Sequence, residues 1–121
     1  MTGADWQARL RAQIDEMQRL DTSGLLVCYL VDQAKRLVDW LPEAAKYPLP
    51  WLSMTPCGGI QFCWQSDRGE VVAETVIDGI EYFSQIDDRS DEGLLSRESD
   101  KEKFLQCLSR CFPERRRSVL D

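Results

Sequence analysis

Apolar and polar positions repeat with two different periods along the chain, and the change of period divides it. Over residues 4–20, Trp6, Leu10, Ile14, Met17 and Leu20 recur at steps of three or four, the stripe of an amphipathic helix. Arg9, Arg11, Asp15, Glu16, Gln18 and Arg19 fill the remaining surface. Such a stripe docks on a core. Its a/d-like spacing also suits a partner helix, which makes Trp6 and Leu10 candidate partner contacts. Asp21-Thr22-Ser23-Gly24 breaks the pattern and offers Thr22 or Ser23 as an N-cap. Residues 25–41 read as a second, more buried helix, with Leu26, Leu30, Ala34, Leu37 and Leu41 on one side, and Pro42 closes it.

Tyr47-Pro48-Leu49-Pro50-Trp51 is an extended link of polyproline character, and residues 52–55 predict a short strand that two nearby prolines confine to a sheet edge. The large apolar area of Trp51 predicts burial under the link; exposed, it would be a partner anchor. From Ile60 the period falls to two. Ile60, Phe62 and Trp64 alternate with Gln61, Cys63 and Gln65, as in a half-buried strand. Ser66-Asp67-Arg68-Gly69 predicts a turn, residues 70–77 a Val/Thr/Ile-rich strand, Asp78-Gly79 a tight hairpin and residues 80–84 the last strand. Gly58-Gly59 precedes a strand and lacks a following Lys-Ser/Thr, so it reads as a tight turn or bulge and not as a phosphate loop.

Residues 86–98 read as an acidic loop. Its carboxylates at Asp87, Asp88, Asp91 and Glu92 are candidate contacts for a basic partner. A calcium loop starting at Asp88 places Gly93 correctly but puts Ser99 where the bidentate Glu belongs. Ser99-Asp100-Lys101-Glu102 has the form of a capping box before the apolar run Phe104, Leu105, Leu108, Cys111 and Phe112. The expected architecture is therefore a single α+β domain over residues 1–121. It has helices over 4–41, an antiparallel meander of three or four strands over 49–85, the loop, a helix over 99–112 packed on one sheet face, and a tail over 113–121.

Charge and composition narrow the function. Fifteen Lys and Arg stand against 21 Asp and Glu, a net charge of −6, whereas a binder of phosphate backbones carries the opposite sign. Direct nucleic-acid binding is thus not expected; its alternative rests on Arg110, Arg115, Arg116 and Arg117. The absence of histidine removes His-activated nucleophiles and every imidazole metal site, so no enzyme and no cofactor is expected. Five cysteines, an odd number, and an N-terminus without an apolar leader predict reduced thiols and a cytoplasmic protein. Cys57, Cys63, Cys107 and Cys111 form the alternative of a four-thiolate zinc or thiol protein, although pair spacings of five and three residues depart from the usual zinc pattern. The longest apolar run, residues 25–31, is far short of the roughly 18 residues of a membrane span.

The segment containing Pro50, Thr55, Pro56, Gly58, Gly59, Ile60, Phe62, Trp64, Asp78 and Gly79 resembles a strand motif. Small uncharacterised bacterial proteins carry it as Thr-Pro-x-Gly-Gly-Ile-x-Phe-x-Trp, followed by a hairpin. Those proteins are usually acidic where this chain has Cys57 and Cys63. The resemblance implies a bacterial or phage α+β accessory protein acting on a partner protein. Together with the charge, it sets the expectation of a non-enzymatic interaction module. Such a module is a regulator, inhibitor, antitoxin or anti-defence protein that occludes a larger basic partner, itself possessing nucleic-acid-handling activity in one variant; homodimerisation is allowed.

Overall fold

The computed structural model describes residues 2–113, and the period of three to four yields helices while the period of two yields a sheet. The first helix, α1, spans Gly3–Leu20 and starts at Thr2, whose hydroxyl accepts the Asp5 N–H at 3.1 Å. Its stripe faces inward: Trp6 is 1% exposed and Leu10 0%. The expectation that these two meet a partner is therefore corrected, because the core takes them together with Ile14; of the stripe, Met17 is partly buried and Leu20 is exposed at its end.

The second helix, α2, spans Cys28–Trp40, three residues shorter at its start than the spacing predicts, and neither Thr22 nor Ser23 caps it. The Val27 N–H donates to the Gly58 carbonyl at 2.8 Å, which holds the approach to the helix extended against a turn of the sheet. Asp21 takes the N–H groups of Leu25 and Leu26 at 3.2 and 2.8 Å. A tertiary hydrogen bond thus overrides the local helix propensity of residues 25–27. The two helices are tied by the Gln7 amide, which donates to the carbonyls of Val38 and Asp39, and by the pairs Arg11–Asp39 and Lys35–Asp15.

After a short 3-10 turn at Pro42–Lys46 the chain enters the sheet: β1 Trp51–Met54, β2 Ile60–Ser66, β3 Gly69–Val76, β4 Gly79–Ile86 and β5 Arg89–Leu95. Each strand pairs antiparallel with the next, in the order β1-β2-β3-β4-β5. Between β1 and β2, Gly58 turns the chain at φ +84°, and a side chain there would strike the Leu25 carbonyl. The α+β class, the N-terminal helices, the meander and the C-terminal helix are as the sequence predicts.

The strand count is not. Most of the stretch expected to be an acidic loop is β5, registered from Ile86↔Arg89 to Ile80↔Leu95. Three features make so polar a segment a strand. The edge of β4 offers it a full ladder, Asp87 makes the turn at φ 54°, and Leu95 is buried at its end. Gly93 adds a fourth: a Cβ there would lie 2.7 Å from the Tyr82 ring, so its absence lets that ring lie across β5.

The last helix, α3, spans Lys101–Cys111 and follows a 3-10 turn at Glu98–Asp100. The expected capping box at Ser99 does not form; the Asp100 carboxylate instead accepts the N–H groups of Ser96 and Arg97 at 3.0 and 3.3 Å. Phe62, Trp64, Val71, Ala73, Ile80, Tyr82 and Leu95 make up the inner face of the sheet and join α1, α2 and α3 in one core. Phe104 of α3 meets Trp64 and Tyr82 edge-on, with ring centroids 5.5 and 5.6 Å away. Among the described residues no helix is long and apolar enough to cross a membrane.

Candidate interaction surface

Among the described residues the three helices lie on one side of the sheet, and the other face is open. Strand alternation places Trp51 and Ser53 of β1 there with Gln61, Cys63 and Gln65 of β2 and Glu70, Val72, Glu74 and Val76 of β3. Glu81, Phe83 and Gln85 of β4 and Ser90, Glu92 and Leu94 of β5 complete it. The pairing aligns these side chains in rows that run across the strands. The central row is Trp51, Cys63, Val72, Phe83 and Glu92, one residue per strand. Beside it runs Ser53, Gln61, Glu74, Glu81 and Leu94. The opposite flank is Gln65, Glu70, Gln85 and Ser90.

The exposure of the apolar members is high: Trp51 69%, Phe83 40% and Leu94 46%. Between Phe83, Val72, Val76 and Leu94 lies a depression of about 720 Å³ rimmed by Glu74, Asp78, Glu81 and Glu92. Among the described residues no Lys or Arg stands on this face. Glu74 and Glu81 are directly opposite each other on neighbouring strands, a pairing that destabilises a sheet. A fold indifferent to its open face would have no reason to keep two like charges in register.

Of the residues singled out from the sequence, Trp51 and Glu92 share this face but stand at opposite edges of it, as the two ends of the central row. Trp51 is exposed because β1 pairs it with Cys63 on the open side, so the expected burial under the proline link is corrected. Asp87 and Asp88 are at the β4–β5 turn, where Asp87 pairs with Arg68 at 2.5 Å. Asp91 points to the helix side and binds both Arg89 and Arg110 at 3.0 Å, so its charge is already matched. Sequence reasoning missed Phe83, Glu74, Glu81 and Leu94. The signal lies in Glu70, Val72, Glu74 and Val76 and in Glu81, Phe83 and Gln85, every second residue of two predicted strands.

The other candidate chemistries are dispersed. Cys57 is exposed on the β1–β2 turn, Cys63 is in the central row, and Cys107 and Cys111 are buried on α3. Ser84 donates to Cys107 at 3.4 Å, and Ser66 is 3.2 Å from the Cys111 sulfur. Desolvation, with the Glu70 charge second, pushes the Cys63 thiol above its ordinary range. Desolvation does the same to Cys111 against the pull of its bond to Ser66. Both thiols are thereby held protonated, which suits packing better than nucleophilic attack. Among the described residues no group of three or more His, Cys, Asp or Glu is placed to hold a metal. Arg110 is engaged with Asp91, and Arg115, Arg116 and Arg117 lie outside the described residues. Comparison of the chain with family models, with curated proteins and with solved structures finds no match.

Proposed function

We propose that this protein is a non-enzymatic interaction module whose open sheet face covers a basic surface of a larger protein and thereby regulates or inhibits it. The observation that carries this reading is the composition of that face. An aromatic row, Trp51 to Phe83, is flanked by Glu70, Glu74, Glu81 and Glu92 with no cation among them. An exposed aromatic supplies the apolar contact area of a binding hot spot. Uncompensated carboxylates around it select a cationic partner and raise its encounter rate.

Occlusion is the mechanism in this reading: bound carboxylates replace whatever anion the partner's basic surface would otherwise hold. A partner that handles nucleic acid fits best, since its contact surface is cationic and carries apolar patches. An antitoxin or an anti-defence inhibitor works in this way, and the accessory role implied by the resemblance over residues 50–82 points in the same direction.

The experiment is affinity capture from the native host, with the protein and its Glu74→Lys/Glu81→Lys variant compared by mass spectrometry. The reading expects a basic protein enriched by the first and lost with the second. Equal recovery by both would remove the open face from the function.

A further inference from the structure

Building on that reading, we infer that the occupant of the open face is a cationic amphipathic helix lying across the strands. Direction comes from the rows. Apolar side chains follow one another across the strands, as Trp51, Val72 and Phe83 do, while along β3 and β4 each alternates with a carboxylate or amide. A ligand that matches an apolar stripe with an acidic flank must therefore run across the sheet. Five strands about 4.8 Å apart present roughly 19 Å, the length of about 13 helical residues.

The helical form follows from hydrogen bonding. β2, β3 and β4 are paired on both sides, so the middle of the face has no free main-chain groups to offer a partner. An extended peptide laid there would leave its own N–H and C=O groups without protein partners, whereas a helix satisfies its own. The Glu74–Glu81 pair then receives Lys or Arg from one edge of the helix, which relieves the like-charge contact. A second copy of this chain would bring the same carboxylates face to face, and an anionic membrane would be repelled for the same reason.

The test uses the full chain and three synthetic peptides of about 13 residues. One has a leucine stripe between lysine flanks, one is its scramble, and one carries two central prolines. Binding is followed by the emission of exposed Trp51, with Trp51→Phe as the control for the other tryptophans, and by the gain of peptide helicity. The amphipathic peptide should bind about tenfold or more tighter than the scramble and the proline peptide. Phe83→Ser and Glu81→Lys, both at exposed positions, should each weaken it about tenfold, and Asp15→Asn on α1 should not.

Equal affinity for all three peptides would overturn the inference in favour of bare charge attraction. Amide protection confined to the outer edges of β1 or β5 would overturn it in favour of strand addition. If host capture still depends on Glu74 and Glu81 while the peptides bind alike, the helical occupant fails and the interaction module stands. If capture is indifferent to them, both fail.

Discussion

On the helix side of the sheet, every second residue from Ile60 to Trp64, from Val71 to Thr75 and from Ile80 to Ile86 is buried, and the aromatic rings interlock with Phe104. On the other side the intervening residues are Glu, Gln, Cys, Val and Phe, and no described residue covers them. Both faces belong to the same strands and share one ladder. The covered face is optimised for packing, while the open one keeps two glutamates opposed and two aromatic side chains in water. Stability explains the first arrangement and argues against the second, which is why the second reads as function.

The sharpest way to break this contrast is to truncate one aromatic on each face. Phe104→Ala, under the covered face, should cost about 3–5 kcal/mol in urea unfolding, and Phe83→Ala on the open face about 1 kcal/mol or less. Equal losses would mean that the open face is also structural. Gly93→Ala tests the edge of the covered face: its new Cβ meets the Tyr82 ring at 2.7 Å, and overpacking of this kind costs about 1–3 kcal/mol. Loss of amide protection in β5 ahead of the other strands would locate that strain.

Glu81→Lys should act in the opposite sense. It turns the like-charge pair with Glu74 into an opposite one and should raise stability by about 0.2–1 kcal/mol while removing partner capture. A destabilised variant would contradict the account of the open face. The smallest effect is that of acid, and it falls outside the sheet. The Leu26 N–H first, then those of Leu25 and the Ser23 hydroxyl, hold Asp21 below its ordinary 3.8. The Ser96 N–H leads in doing the same for Asp100. A carboxyl with a depressed folded-state pKa contributes stability above its unfolded value and loses it as pH falls through the folded one. Stability should thus drop below about pH 4. Asp21→Asn and Asp100→Asn should each flatten that slope in melts taken between about pH 2 and 5.

Much of the architecture is legible in the chain by itself. The stripe of α1, the alternation of β2 to β4, the hairpin at Asp78-Gly79 and the edge position of β1 follow from local period and turn chemistry, which depend only on near neighbours in sequence. The acidic character of the binding reading follows from counting charges. What the chain alone leaves open is decided by pairing. β5 exists because β4 has an unpaired edge, and Arg-Ser-Asp-Glu-Gly carries no strand signal of its own. Val27 leaves the helix because Gly58 offers it a hydrogen bond from a distant turn.

The same holds for the candidate surface. Periodicity says that one side of each strand is more polar, but register alone puts Trp51, Val72 and Phe83 in one row and Glu74 against Glu81. Local sequence therefore determines which elements form and which residues alternate. Long-range hydrogen bonds determine which of those residues meet and which face the helices leave bare, because a ladder joins positions that no local pattern connects.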